Sequence, residues 1–97
     1  MPLLWLLPIL ALLVPSPDCP GPGEVYGKIE IVDSFADCKV QVVSSFPDLR
    51  VQKVTSFADH AGEWQMVESF PDHTVQLVES FPDFKIEYVE SFPGVTD

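Results

Sequence analysis

A chain of 97 residues, 46% hydrophobic and 21% charged, has the makeup of one small folded domain. Its formal net charge is −10, with only Lys28, Lys39, Arg50, Lys53 and Lys85 as basic residues. That excludes nucleic acid as a partner, because phosphate backbones demand clustered Lys and Arg, and it disfavours anionic membrane surfaces; the acidic surface favours a soluble monomer.

The N-terminal residues 1–23, MPLLWLLPILALLVPSPDCPGPG, differ from everything after them. Leu3 to Val14 is an apolar run broken only by Pro8. A membrane span needs about 20 residues, so the run fits the hydrophobic segment of a secretory signal better. Gly21 and Gly23 are small residues at −3 and −1 of a cut before Glu24. Residues 1–23 are therefore read as a signal peptide or N-terminal anchor plus a Pro/Gly linker, and residues 24–97 as the domain. The expected location is exported, secreted or periplasmic, without membrane insertion of the mature domain. The alternative is tethering by an uncleaved N-terminal segment. Cys19 and Cys38 are the only cysteines. They can pair in an oxidising compartment if both survive processing; a cut before Glu24 leaves Cys38 alone as a small hydrophobe.

From Lys28 onward the chain repeats itself. Aligned on Ser-Phe, six units appear: KIEIVDSF (28–35), KVQVVSSF (39–46), RVQKVTSF (50–57), EWQMVESF (63–70), TVQLVESF (74–81) and KIEYVESF (85–92). Their phenylalanines are 11, 11, 13, 11 and 11 residues apart, and the irregular interval holds His60-Ala61-Gly62, so the chain divides into three units plus three. Eleven residues also make nearly three helical turns. Pro47, Pro71 and Pro82 would then sit inside helices, at a cost of about 3 kcal/mol each, and the units are rich in β-branched residues. The units are strands.

The second position of each unit is apolar (Ile29, Val40, Val51, Trp64, Val75, Ile86), the fifth is always Val and the eighth always Phe. Strict alternation places the second and eighth residues on one face and the fifth on the other. Either both faces are buried, or a bulge turns the Val inward. The expectation is that Val and Phe share the core, with Phe70 and Phe81 mostly buried and Glu79 exposed. Proline is expected to hold the preceding Phe extended. The linkers Ala36-Asp37-Cys38, Pro47-Asp48-Leu49, Pro71-Asp72-His73 and Pro82-Asp83-Phe84 read as type I turns, with the seventh-position Ser bonding backbone at the corner. One unit cannot bury its own apolar face, so the copies must stack into a common core.

These repeats, VxSFPD at eleven-residue intervals with GEWQMVESFPD after the central insertion, resemble the septoil-knot domain family over residues 24–94. The resemblance implies a compact knotted β-toroid, all-β and monomeric, with no catalytic, cofactor or metal residues carried over. Ala61 stands where relatives are expected to carry a Cys, which weakens a link from Cys38 to the central loop. Periodicity alone equally allows a short β-solenoid or a small barrel; two interleaved windings of one closed ring satisfy the 3+3 division.

No motif for an enzyme is present: His60, His73 and the repeat serines lack any nucleophile-elbow pattern, and zinc would want a further ligand. The chain reads as a structural or interaction module of unassigned partner, with no catalytic, cofactor or metal site. The alternative is a small-ligand or Ca²⁺-binding module using the corner aspartates Asp37, Asp48, Asp59, Asp72 and Asp83, or the Trp64 junction. Capping of turns and plugging of the irregular junction are the plainer roles for those residues. The third-position stripe of Gln41, Gln52, Gln65 and Gln76 reads as a solvated face or side-chain ladder.

Overall fold

Each repeat forms one short strand, and each strand is too short to hide its apolar side chains without neighbours on both edges. The structure, a computed structural model, describes residues 19–96. The apolar run Leu3 to Val14 lies outside the described residues. A 3₁₀ turn, Pro22–Glu24, precedes seven strands: β1 (Gly27–Ile31), β2 (Cys38–Val42), β3 (Leu49–Lys53), β4 (Glu63–Met66), β5 (His73–Leu77), β6 (Phe84–Tyr88) and β7 (Gly94–Val95).

The neighbours run β4-β1-β5-β2-β6-β3, and an additional β3–β4 pairing closes the ring. All six of these strands are parallel to their partners. The result is the small all-β barrel. The second pass of the chain lays β5 between β1 and β2, and β6 between β2 and β3, which is the interleaving of two windings that the 3+3 division allows. The central insertion serves β4, which fits between β3 and β1 where the ring closes. The two-residue β7 runs antiparallel to the start of β3.

Pairing is staggered. In β1, Gly27 to Ile29 face β4, while Ile29 to Ile31 face β5. β2 and β3 step between partners likewise. Each strand thus bridges two neighbours with different halves, which is why non-local contacts dominate the fold.

The core has two layers. Ile29, Val40, Val51, Trp64, Val75 and Ile86, the second unit position, are all fully buried. The second layer comes from the residue two before it, Cys38, Leu49 and Phe84, which the sequence places in linkers. Strands therefore begin one residue earlier than the repeat suggests, and their inward face is the alternating pair Cys38/Val40, Leu49/Val51 or Phe84/Ile86. Val25 joins them, and Cys19 and Tyr88 pack on the margin.

The eighth position is the main departure. Phe35, Phe46, Phe57, Phe70, Phe81 and Phe92 are all exposed, by 83% at the least, where Phe70 and Phe81 were expected in the core. Each has left-handed backbone, with φ between 51° and 57°; for Phe46, Phe70 and Phe81 this replaces the extended geometry expected before proline. The reason lies in the connections. Only residues 32–37 join β1 to β2, and the β5 strand intervenes. Parallel neighbours ordinarily need a dozen residues or more to cross back. Here no crossing back is needed: Ile31 and Cys38 both pair with Val75, from opposite sides, so the six residues loop over β5 between ends only about 10 Å apart, twice the strand spacing. The left-handed residue lies in that loop, and its Phe side chain is exposed. The fifth-position Val stays half-buried and in the ladder: Val32 donates to the Val75 carbonyl at 2.9 Å and Val43 to that of Ile86 at 2.8 Å.

The Pro-Asp pair is likewise not a type I turn. Asp48 already donates to the Lys85 carbonyl of a neighbouring strand at 2.8 Å, and Asp72 to that of Lys28. Bending falls on the residues up to the Phe and again at the Asp, which opens the next strand's pairing. The seventh-position serines are exposed, and among the described residues none bonds the backbone at the corner.

Candidate functional site

The six corners form a repeated surface feature built from the chain's own period. Each lies in the crossing that follows one strand of a closed ring, so the six are spread around that ring. At each the sequence is x-Ser-Phe-(Pro/Ala)-x, and Phe35 is wholly exposed while Phe46, Phe70 and Phe81 are more than nine-tenths so. Large aromatic side chains ordinarily dominate cores, and left-handed backbone costs a side chain with a Cβ about 1–2 kcal/mol. Glycine or asparagine would take the same conformation more cheaply. Neither stability nor solubility explains six phenylalanines there.

Acidic residues accompany them. Asp33, Glu68, Glu79 and Glu90 stand two residues before their Phe and are exposed; the exposure expected for Glu79 is found. The segments 33–37, 44–48, 55–59, 68–72, 79–83 and 90–94 hold no Lys or Arg. Each corner is thus an aromatic group in an acidic setting.

The aspartates after the Phe behave differently. They form reciprocal clasps onto distant strands. Asp72 donates its amide to the Lys28 carbonyl and accepts the Lys28 amide on Oδ2 at 2.9 Å. Asp83 does the same with Lys39, whose amide reaches Oδ2 at 2.7 Å, and Asp48 with Lys85 at 2.9 Å. Asp37 exchanges bonds with Thr74, giving its amide to Oγ1 at 2.8 Å and receiving the Thr74 amide at 3.1 Å. Asp59, beside the insertion, instead shares Glu63 Oε1 with His60 through their backbone amides, at 3.1 and 3.0 Å. The carboxylates bond across strands that are neighbours in the ring; they do not converge on a common centre.

Among the described residues, the close grouping of metal-type ligands is Cys19, Cys38 and Asp83. The two sulfurs are bonded to each other as a disulfide, which takes away their thiolates as ligands. Cys38 therefore pairs with Cys19, and the linker residues from 19 are tied to the start of β2.

Trp64 is fully buried, and its indole Nε1 donates to the Val25 carbonyl at 2.7 Å. That is the plug at the irregular junction, closed to any stacking ligand. His60 is exposed beside Glu63, with Nδ1 3.4 Å from Oε1, and His73 begins β5. Nothing joins them to a serine. In the Gln stripe, Gln41 donates to the Glu79 carbonyl at 3.2 Å and Gln52 to that of Glu90 at 3.1 Å, so both side chains brace the corners. Lys53 lies over the Tyr88 ring at 4.3 Å, and burial pushes the Tyr88 phenol above its ordinary value.

The resemblance read from the Ser-Phe-Pro-Asp repeats and the barrel described here lead to one family. The sequence matches the model of the 7(1) septoil knot domain over residues 23–96, and the chain belongs to that family. Among curated proteins no match to the chain is found.

Proposed function

We propose that this septoil knot domain is a non-enzymatic interaction module, a rigid ring that displays six copies of one phenylalanine-bearing corner. The observation that carries the reading is the combination of left-handed backbone and near-complete exposure at all six Phe positions. Strained, exposed and repeated aromatic residues are more economically explained by contact with something else than by the fold's own needs. Display in six copies favours avidity over strong single contacts.

The clasped aspartates and the buried Trp64 weigh against the alternative of a Ca²⁺ or small-ligand module at those positions. Export is part of the proposal. A disulfide between Cys19 and Cys38 is at home in an oxidising compartment, and the apolar run Leu3 to Val14 has the length of a signal segment. A mature chain that keeps the bond must begin at or before Cys19. N-terminal sequencing of released protein tests this; a start at Glu24 rules out the bond in the mature form.

The display reading is tested by changing all six corner residues from Phe to Asn. The variant is expected to melt no lower than the parent and to lose retention on a phenyl matrix. A variant that unfolds, or that is retained as strongly as the parent, overturns the reading.

A further inference from the structure

We infer that the corners recognise arginine-rich protein segments, with guanidinium groups lying on the exposed Phe faces and pairing with the carboxylates two residues earlier. The inference rests on the display reading and adds the chemistry of the partner.

The corner provides two elements of such a site. A guanidinium is planar, permanently charged and weakly hydrated, so it stacks on an aromatic face while its edge donates to a carboxylate. Phe81 offers a face at 92% exposure, and Glu79 is an exposed carboxylate two residues away, at most about 7.6 Å by Cα spacing. Phe35 with Asp33, Phe70 with Glu68, and Phe92 with Glu90 repeat the arrangement. The next aspartate is held by backbone amides in the corners of Phe46, Phe70 and Phe81, so it fixes the loop and is not the mobile partner.

Charge decides among occupants. No corner contains a cation of its own, and the chain as a whole is at −10. A second copy would bring like charge against like charge. An anionic membrane would be repelled for the same reason. Nucleic acid is excluded on the same ground. A basic protein segment meets complementary charge at the four corners that carry Asp33, Glu68, Glu79 and Glu90, and repetition around the ring multiplies weak contacts. The domain already holds one cation–aromatic contact, Lys53 over Tyr88.

The test uses the full-length chain, octa-arginine and octalysine peptides, and a salt series. The parent is expected to bind octa-arginine at least about tenfold more tightly than octalysine, since a guanidinium lies flat on the ring while its edge pairs with the carboxylate, and an ammonium makes only a point contact. The six-site Phe→Asn variant is expected to lose that preference while keeping the weaker, salt-sensitive attraction to both peptides. A combined D33N/E68Q/E79Q/E90Q variant is expected to weaken both. On the unmodified chain, titration with octa-arginine is expected to shift the Phe ring resonances in NMR spectra, which keeps the test decisive if a multiple variant fails to fold.

Equal affinity for the two peptides, or ring resonances that stay still, overturns the inference and reduces the effect to net charge. Binding to phosphatidylcholine vesicles that vanishes in the Phe→Asn variant also overturns it, in favour of a lipid surface. Self-association of the parent, seen by sedimentation and abolished in that variant, overturns it in favour of a second copy. In those last two cases the display reading survives. A Phe→Asn variant that cannot fold removes the display reading itself.

Discussion

The indole of Trp64 donates its only hydrogen bond to the carbonyl of Val25 at 2.7 Å, and both residues are fully buried. The pair closes the ring where its regularity fails. Strand β4 follows Gly62, which supplies no side chain at the position where β2, β3 and β6 place Cys38, Leu49 and Phe84. A larger residue at the next inward position fills the space. Its N–H reaches a carbonyl in the segment between the 3₁₀ turn and β1.

Trp64→Phe therefore has two costs, an unpaired buried carbonyl and a void the size of the missing ring. The expected loss is about 2–4 kcal/mol by urea denaturation. A loss below about 1 kcal/mol would show that the junction closes without the bond.

The corner phenylalanines are expected to behave in the opposite way. Phe81 is 92% exposed with φ of 54°, so its truncation removes little buried surface. Phe81→Ala should cost under about 0.5 kcal/mol, and Phe81→Asn should gain a few tenths because Asn tolerates left-handed backbone. Ile86→Ala, in the core, should cost about 2–5 kcal/mol. Equilibrium denaturation of the three variants separates the roles; a Phe81→Ala protein as impaired as Ile86→Ala would return the corner to the core.

How far the sequence reveals this molecule depends on which force acts at each position. Burial of the second unit position was legible because an apolar residue recurs in all six units, from Ile29 to Ile86. Leu49 and Phe84 were hidden by their place after Pro-Asp, where turn chemistry competes with strand alternation for the same residues. The exposure of Phe70 and Phe81 was illegible for a topological reason. Aromatic residues in a repeat ordinarily mean core, and proline biases its predecessor toward extended backbone. The short loop over an intervening strand overrides both, and no local signal such as glycine marks its left-handed residue. The clasps were partly visible, since the recurrence of Asp pointed to a backbone role, but a partner such as Lys28 for Asp72, 44 residues away, follows only from interleaving.

The Asp72 clasp is expected to contribute about 1–2 kcal/mol, the lower part of the range for a charge-assisted bond because it is exposed. Asp72→Ala should show that loss, while Glu79→Ala, which removes no such bond, should cost under about 0.5 kcal/mol. Since backbone amides occupy these carboxylates, EDTA should leave the melting transition in place. A shift of many degrees that Ca²⁺ reverses would instead make the aspartates ligands.

The Cys19–Cys38 bond closes a loop with a sequence separation of 19. Loop entropy assigns such a crosslink about 3 kcal/mol. Dithiothreitol should lower stability by about that much without dismantling the ring, whose strands pair independently of residue 19. Circular dichroism that collapses at room temperature on reduction would show that the bond is needed for folding.

The last prediction concerns Gly62, where conformation and space coincide. Its φ is +84°, and an added Cβ would lie 2.3 Å from the Arg50 carbonyl oxygen and 2.6 Å from the Gly94 nitrogen. Both obstacles are backbone, and both belong to the β3–β7 pair, so neither yields without breaking the Leu49–Val95 register or the bond from Gln52 to the Gly62 carbonyl at 2.8 Å. Gly27 also has positive φ, at +102°, but its obstacle at 2.5 Å is the Asp72 carboxylate, a side chain that can swing aside at the expense of its clasp. Gly21 has nothing within 4 Å. Alanine at the three positions should therefore give a graded series: at least about 4 kcal/mol lost at Gly62, about 2 at Gly27 and under about 0.5 at Gly21. Thermal and chemical denaturation of the three proteins reads the order directly. If Gly62→Ala were as mild as Gly21→Ala, the chain could not be packed at the insertion as described, because no ordinary backbone relaxation provides space for a methyl group between two hydrogen-bonded strands.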